Sequence, residues 1–421
     1  MSGTPEAAAA GFTGRANQSL YFPDHTNWGP RVGFAWRPWE NDTTVVRGGY
    51  GIFYNPVIYD AAYFLNLMPP NFGLLTAVGL LNVAHPWPPF DGNYNRLNGY
   101  LFTNDFKNGY VQQWNLSVER RLTTSTAIAV SYVGNKGTHL DGSRFLNQAA
   151  PGSGSAAARR PWPNFSTFEG WDSRVSSNYH SLQVKLERHF SKGLSFIGAY
   201  TFSKGIDDGA GAADTFSGGD VIMPQDSAHP NERGLSLFDV RQRFVFSWIY
   251  ALPFGKGKSF LNHGGVLNAL VGGWQFNGIA SFQTGFPLTP RTGAPNSGAD
   301  APSLQASDRP NRVCDGNLPG GQRTREQWFD TSCFVPNNAG QWGNSGRGII
   351  TAPGIQNWDL SLFKDFQIKE QMRLQFRTEF FNTFNNVNFG FPDVMVINPT
   401  FGLIAGAGTS RQIQFGLKFI F

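Results

Sequence analysis

The final residues of the chain, from Arg411 to Phe421, have the sequence RQIQFGLKFIF. Apolar and polar side chains alternate along this segment, the apolar ones being Ile413, Phe415, Leu417, Phe419 and Phe421. A period of two predicts a β-strand with one apolar face and one polar face. Chain ends of soluble domains usually fray, whereas this segment ends on Phe-Ile-Phe without a turn residue. The pattern therefore favours a strand whose apolar face contacts lipid.

The same alternation occurs in ten further segments, which pair into five hairpins. The hairpin turns are predicted near residues 37–42, 122–126, 191–193, 253–259 and 369–371. Longer loops rich in Gly, Pro and Asn follow each hairpin. Strands of about eleven residues, tilted by about 45°, span the roughly 25 Å of a lipid-facing apolar band. Short turns alternating with long loops are typical of outer-membrane barrels, with the turns at the periplasm and the loops outside.

Composition is compatible with this prediction. Charged residues make up 15% of the 421 residues, and aromatic residues also make up 15%. Mean hydropathy is −0.29, and no window approaches the roughly 18 apolar residues of a membrane helix. A barrel has low mean hydropathy because only every second residue of a strand faces lipid. We therefore predict an all-β fold, an antiparallel transmembrane β-barrel with about eleven strands in this chain.

Several classes of function are disfavoured. The net charge of +5 comes from scattered Lys and Arg residues, without the basic cluster of a nucleic-acid site. No catalytic, metal or phosphate-binding motif has a fitting context, so we expect no enzyme, no cofactor and no metal site. The N-terminal sequence MSGTPEAAAAGFTG lacks the features of a secretory signal. We expect either that the protein is not exported or that the exporting segment precedes this chain.

One strand carries a row of polar side chains on the face opposite its apolar residues. The row consists of Arg373, Gln375, Arg377 and Glu379. Four such side chains need water or a buried partner, because burying a polar group without a hydrogen-bonding partner costs free energy. We interpret the row as the wet wall of a barrel lumen, with a dedicated substrate site as the alternative.

The two cysteines, Cys314 and Cys333, both lie in the longest predicted loop. We expect them to form a disulfide in an oxidising compartment, with two free thiols as the alternative. A Gly-rich loop contains four carboxylates. Their oxygen atoms are suitable ligands for a hard cation such as calcium, but their spacing does not fit an EF-hand. We interpret them as a solvated loop rather than a calcium site: Asp207, Asp208, Asp214 and Asp220.

The end of the chain resembles the assembly signal of outer-membrane barrels, which is a polar residue, a glycine and two aromatic residues at fixed spacing. These positions correspond to Gln414, Gly416, Phe419 and Phe421. Further stretches, including GPRVGFAWRP, TVVRGGYGIFYN, GWQFNGIASFQTGFPLT and LQFRTEFFNTFNNVNFGFP, resemble the C-terminal barrel portion of Oar-like TonB-dependent receptors. Members of that family often carry a carboxypeptidase-regulatory-like domain upstream.

The resemblance implies a barrel of twenty-two strands with a plug domain and a TonB-contacting segment upstream. We therefore expect a fragment: residues 1–27 as an extracellular loop remnant and residues 28–421 as the C-terminal half of the barrel, with the plug domain absent. The implied partners are outer-membrane lipid and lipopolysaccharide, the barrel-assembly machinery, TonB through the missing plug, and an unknown extracellular substrate. The implied location is the bacterial outer membrane.

The implied function is uptake of a scarce or bulky substrate, such as an iron chelate, a glycan, cobalamin or a peptide, by TonB-driven plug movement. Two alternatives remain open at the level of sequence. One is a structural or adhesive surface protein whose loops bind partners without transport. The other is a smaller passive channel.

Overall fold

In the computed structural model, the described residues are 26–39, 43–55, 99–102, 106–163, 168–209, 225–226, 232–299, 308–369 and 372–421. Most of the predicted loop remnant, residues 1–25, lies outside them. Two α-helices occur among them, α1 (Ala156–Arg159) and α2 (Gly265–Val271). None of the helices in this part of the chain combines the length and apolar character needed to cross a membrane.

The strands, in chain order, are β1 (Arg31–Trp36), β2 (Thr44–Asn55), β3 (Gly99–Phe102), β4 (Gly109–Arg121), β5 (Thr126–Phe145), β6 (Phe168–Ser191), β7 (Leu194–Asp207), β8 (Gly234–Leu235), β9 (Gln242–Ala251), β10 (Trp274–Gln283), β11 (Pro287–Leu288), β12 (Asn311–Arg312), β13 (Phe334–Val335), β14 (Ile350–Thr351), β15 (Ile355–Gln367), β16 (Arg373–Phe381) and β17 (Gln412–Ile420).

One large sheet contains most of these strands. Its main path is β1-β2-β4-β5-β6-β7-β9-β10-β15-β16-β17, and every neighbouring pair along it is antiparallel. The prediction of eleven antiparallel strands is confirmed. In the part of the chain that the structure describes, β1 pairs only with β2 and β17 only with β16, so the sheet is open.

Strand register places the apolar positions of all eleven strands on one face. Apolar side chains face each other across successive strand pairs, as in Val32 with Tyr50, Tyr50 with Trp114, Leu116 with Tyr132, Val184 with Tyr200, Phe276 with Tyr250, Leu360 with Phe380 and Phe376 with Leu417. A one-residue shift at any pair would move apolar side chains to the other face. We call these two surfaces the apolar face and the polar wall.

The sheet is taller on one side than the sequence pattern indicates. The alternation of apolar residues predicts a loop from Gly134 onward and the next strand only from Tyr179, but β5 continues to Phe145 and β6 begins at Phe168. The extra residues pair with each other, with register shifts between Gly137 and Gly142. Backbone pairing beyond the apolar band needs no alternation of apolar side chains, so the sequence pattern does not indicate it.

The connection between β9 and β10 is longer than a hairpin turn. A short turn was predicted at residues 253–259, but the connection runs from 252 to 273 and contains α2. By contrast, seven residues or fewer separate the strands of the other pairs that are joined at this end of the sheet, which are β1 and β2, β4 and β5, β6 and β7, and β15 and β16.

At the opposite end, the long connections fold against each other into a layer that we call the loop cap, which consists of the described residues of 286–354 (without 300–307) and of 382–411. Backbone hydrogen bonds join its two segments, from Trp328 N to Gly402 O at 2.9 Å and from Ile404 N to Arg325 O at 2.8 Å. Its apolar core consists of Phe329, Cys333, Phe334 and Ile350. The loop cap is thus a folded unit with its own buried core.

Candidate functional site

The predicted polar row lies on the polar wall, along β16. Gln375 is buried and donates from Nε2 to Asp365 Oδ1 at 2.8 Å. Arg377 donates from Nε to Gln375 Oε1 at 2.6 Å, and its guanidinium carbon lies 4.7 Å from the centre of the Phe363 ring. Arg373 lies 3.6 Å from Asp365 and is half-exposed. These contacts make a linked polar network between β15 and β16.

Glu379, the fourth residue of the row, borders a groove of about 650 Å³ on the same wall. Two more carboxylates, Glu187 and Asp359, line this groove together with hydroxyl and amide groups from Ser247, Asn277 and Ser361. The amide of Asn277 donates to Ser361 Oγ at 3.3 Å. The groove therefore combines carboxylates, hydroxyl and amide groups with the basic residues Arg188 and His189.

Three isoleucines interrupt the polar character of this groove. Ile197, Ile249 and Ile279 are 48%, 44% and 48% exposed, and all three line it. Ser247 of β9 pairs with Ile197 of β7 on one side and with Ile279 of β10 on the other. Ile249 is the next residue of β9 on the same face. Exposed apolar side chains gathered in one place on a polar wall mark a contact surface.

The loop cap is fixed to the sheet by a buried ion pair. Arg347 donates from Nη2 to the backbone oxygen of Asp207 at 2.6 Å and also to its carboxylate. The side chain of Arg347 is 1% exposed and that of Asp207 is 7% exposed. Because Asp207 ends β7, this pair joins the cap to a long strand.

A second buried pair lies nearby, between Arg309 and Glu232. Arg309 also donates from Nη1 to Ser345 O at 3.3 Å. Burial lowers the pKa of Arg309 to about 10, and the neighbouring Arg347 charge acts in the same direction. Two cationic groups are thus held close together under the cap by their acidic partners.

Asp308 organises the interior of the cap. Its fully buried carboxylate accepts from Ser297 N at 2.6 Å, from Ser297 Oγ at 2.7 Å and from Asn337 Nδ2 at 2.8 Å. Cys314 and Cys333 form a disulfide in the same layer, with their Cα atoms 4.8 Å apart.

The structure places two of the four carboxylates considered for calcium in contact with protein groups. Asp207 pairs with Arg347, and Asp208 accepts from Ser176 N at 2.5 Å. Asp214 and Asp220 lie outside the described residues. Among those residues, the one cluster of His, Cys, Asp or Glu that is close enough to hold a metal ion is Cys314, Asp330 and Cys333. The sulfurs of its two cysteines already form the disulfide.

Comparison with known proteins identifies the class of this sheet. The family model described as "Outer membrane beta barrel domain" matches residues 2–414. The chain belongs to this family. An outer-membrane barrel domain lies in the bacterial outer membrane, which confirms the predicted location. No curated protein sequence matches the chain.

Solved barrel structures resemble this barrel domain in fold. The outer membrane transporter YddB from Escherichia coli has a TM-score of 0.50 at 10% identity, over 94% of this chain and 41% of that one. The FrpB iron transporter from Neisseria meningitidis has a TM-score of 0.43 at 12% identity, over 93% and 39%. The barrel domain thus spans about two fifths of these chains. The prediction of an outer-membrane β-barrel is confirmed by the family, and the fold is similar to that of the transporter YddB.

Membership of a barrel family gives the two surfaces of the sheet their environments. In an outer-membrane barrel the apolar face contacts lipid and the opposite face lines the lumen. The apolar face of β17 is well exposed, with Phe415 at 67% and Leu417 at 68%. Burying each such side chain is worth about 1.5–3 kcal/mol, so lipid contact stabilises this surface considerably.

The positions that resemble the assembly signal lie at the free edge of the barrel domain. Gln414 and Gly416 face Glu379 and Arg377 on β16, whereas Phe419 faces Leu374. Phe421 follows the strand and is 90% exposed. Three of the four positions therefore lie on an edge strand whose second side is unpaired among the described residues, and Phe421 directly follows it.

Sequence reasoning did not identify the charged pairs that hold the cap or the isoleucines of the groove. Arg347 and Asp207 are separated by 140 residues, and no local spacing connects them. The alternation of apolar and polar residues assigns the polar face to three positions that are isoleucines, Ile197, Ile249 and Ile279. This break in the alternation is the signal that could have identified them.

Proposed function

We propose that the chain forms the C-terminal part of the barrel of a TonB-dependent outer-membrane transporter. The loop cap would meet the substrate outside, and the polar wall would enclose a plug domain supplied by another part of the protein. TonB would act on that plug and open a path along the wall. An iron chelate, a glycan, cobalamin or a peptide are the candidate substrates.

The observation that carries this proposal is the isoleucine cluster in the groove of the polar wall. A passive channel keeps its lumen wall in water, where three exposed isoleucines would gain nothing. A plug packed against the wall covers them and provides donors for Glu187, Asp359 and Glu379. The similarity in fold to the transporter YddB agrees with this interpretation.

The proposal is tested with the intact gene product, first without any substrate. In a planar bilayer, the purified wild-type protein should show no steady conductance, because the plug fills the lumen. Ile249→Asp should loosen the plug and produce conductance, whereas Ser361→Asp, on an already polar part of the groove, should change it much less. Steady wild-type conductance would favour the passive channel.

Transport is then measured in cells. Uptake of radioactive iron presented as ferric catecholate and hydroxamate complexes, and of labelled cobalamin, is compared with and without a functional TonB. Uptake that requires both this protein and TonB supports the transporter. Uptake that requires the protein but not TonB indicates a channel. A product that neither binds TonB in cross-linking nor changes uptake supports the structural or adhesive alternative.

A further inference from the structure

The connection between β9 and β10 carries an apolar surface at the end of the barrel where the turns are short. Its exposed side chains include Phe260 at 58%, Leu261 at 48%, Val266 at 77% and Leu270 at 66%. Contiguous exposed apolar residues of this kind mark a contact surface. The barrel wall alone does not require them, because the other described turns at this end are short.

Two side chains of the apolar face hold α2 against the outside of the barrel. Trp274 Nε1 donates to Leu270 O at 2.8 Å, and Lys364 Nζ donates to Gly272 O. Trp274 and Lys364 face each other across β10 and β15, on the same face as Phe276 and Leu362. The helix therefore lies on the lipid side of the wall and not over the lumen.

The connection is also internally braced. Asn268 Oδ1 accepts from Lys256 N at 2.7 Å, Asn262 Oδ1 accepts from Gly257 N at 2.6 Å, and the rings of Phe254 and Phe260 lie 6.0 Å apart. The exposed apolar side chains thus project from a defined structure.

Charged side chains accompany this apolar surface. Lys256 and Lys258 are both exposed in the same connection, and Asp and Glu are absent between 252 and 273. The ammonium group of Lys364 lies 5.6 Å from the Trp274 ring centre and 5.0 Å from that of Phe366. Lys364 is itself buried, at 3% exposed, whereas a Trp such as Trp274 and exposed lysines such as Lys256 and Lys258 are typical of the membrane–water interface.

We propose that residues 252–273 form a phospholipid-binding anchor in the periplasmic leaflet of the outer membrane. Val266 and Leu270 of α2, with Phe260 and Leu261, lie at the level of the acyl chains nearest the headgroups. Lys256 and Lys258 contact the phosphates of anionic phospholipid. The surface continues the lipid-facing wall at Trp274, and it fixes the depth of this side of the barrel in the membrane.

The experiment uses the full-length protein in vesicles of phosphatidylethanolamine and phosphatidylglycerol, with bimane attached to Val266→Cys. Val266 is highly exposed, so the substitution disturbs little packing. Brominated acyl chains should quench this label as they quench one on Phe415→Cys of the lipid-facing wall. A label on Gln322→Cys in the loop cap serves as the unquenched control.

Two outcomes would overturn the anchor. One is quenching of the Val266 label by aqueous iodide but not by brominated lipid, which places the connection in water. The other is protection from both quenchers, which indicates a protein partner.

A second measurement tests the contact of Lys256 and Lys258 with the phospholipid headgroups. At low fractions, brominated phosphatidylglycerol should quench the Val266 label more than brominated phosphatidylethanolamine does. Lys256→Gln combined with Lys258→Gln should abolish this preference while quenching by the bulk lipid is retained. An unchanged preference in the double variant would overturn the assignment of the lysines.

Discussion

At the scale of single residues, the polar wall depends on side chains that satisfy one another. Gln375 is the clearest case, because it bridges Asp365 and Arg377 from a buried position. The alternation of β16 predicts that Gln375 lies on the polar face, but it does not predict the bridge. The partner Asp365 belongs to another strand, and its distance from Gln375 is set by the register of β15 with β16.

Gln375→Ala should lower the free energy of unfolding in detergent by about 1–3 kcal/mol, because Asp365 and Arg377 each lose a partner. The matched control is Gln414→Ala on β17, where the side chain is exposed and a change within about 0.5 kcal/mol is expected. Urea titration of both variants measures the difference. Equal stabilities would show that the network is solvated and contributes little.

Arg347→Ala should release the loop cap from the sheet, because the buried carboxylate of Asp207 loses its partner. Breaking a buried pair costs about 3–5 kcal/mol. Arg47→Ala removes an exposed pair with Glu119, outside the cap, which is worth at most about 1 kcal/mol. Amide hydrogen exchange in the cap, followed at Phe334 and Val335, should accelerate strongly in the first variant and little in the second. Similar exchange in both would mean that the cap holds together without this pair.

At the scale of elements, β17 combines a lipid-facing side with the residues that resemble the assembly signal. Its apolar face and its place at a sheet edge are both evident from the sequence, because a strict period of two continues almost to the end of the chain. The element that sequence periodicity does not reveal is α2. A seven-residue helix is too short to show a helical period.

Gly416→Ala separates assembly from stability in β17. An added Cβ would lie 3.8 Å from Arg377 Cβ, an ordinary van der Waals contact, so the folded strand should accommodate it. If the assembly machinery recognises this glycine, newly made Gly416→Ala protein should reach the folded, membrane-inserted form more slowly in a pulse-chase experiment. Leu417→Ala, at a position the signal does not specify, is the control. Slower assembly of Leu417→Ala together with normal assembly of Gly416→Ala would argue against recognition of Gly416.

At the scale of the whole molecule, the barrel domain has two strand edges, at β1 and β17, that lack a second partner among the described residues. Unpaired backbone groups are costly in lipid. We propose that further strands close the wall in the membrane, as the half-barrel interpretation of residues 28–421 requires. The eleven-strand topology follows from local alternation, whereas closure depends on strands whose pairing no local pattern specifies.

The central claim is that one face of this sheet contacts lipid and the other lines a lumen. Fluorophores on single cysteines along β17, in the intact protein in its membrane, test it most directly, because the two native cysteines of this chain are joined in the disulfide and do not react with the label. Brominated lipid should quench labels at Ile413, Phe415 and Leu417 and leave those at Gln414 and Lys418 bright. Quenching that does not alternate between the apolar and the polar positions, or no quenching at any position, would contradict the assignment of the two faces.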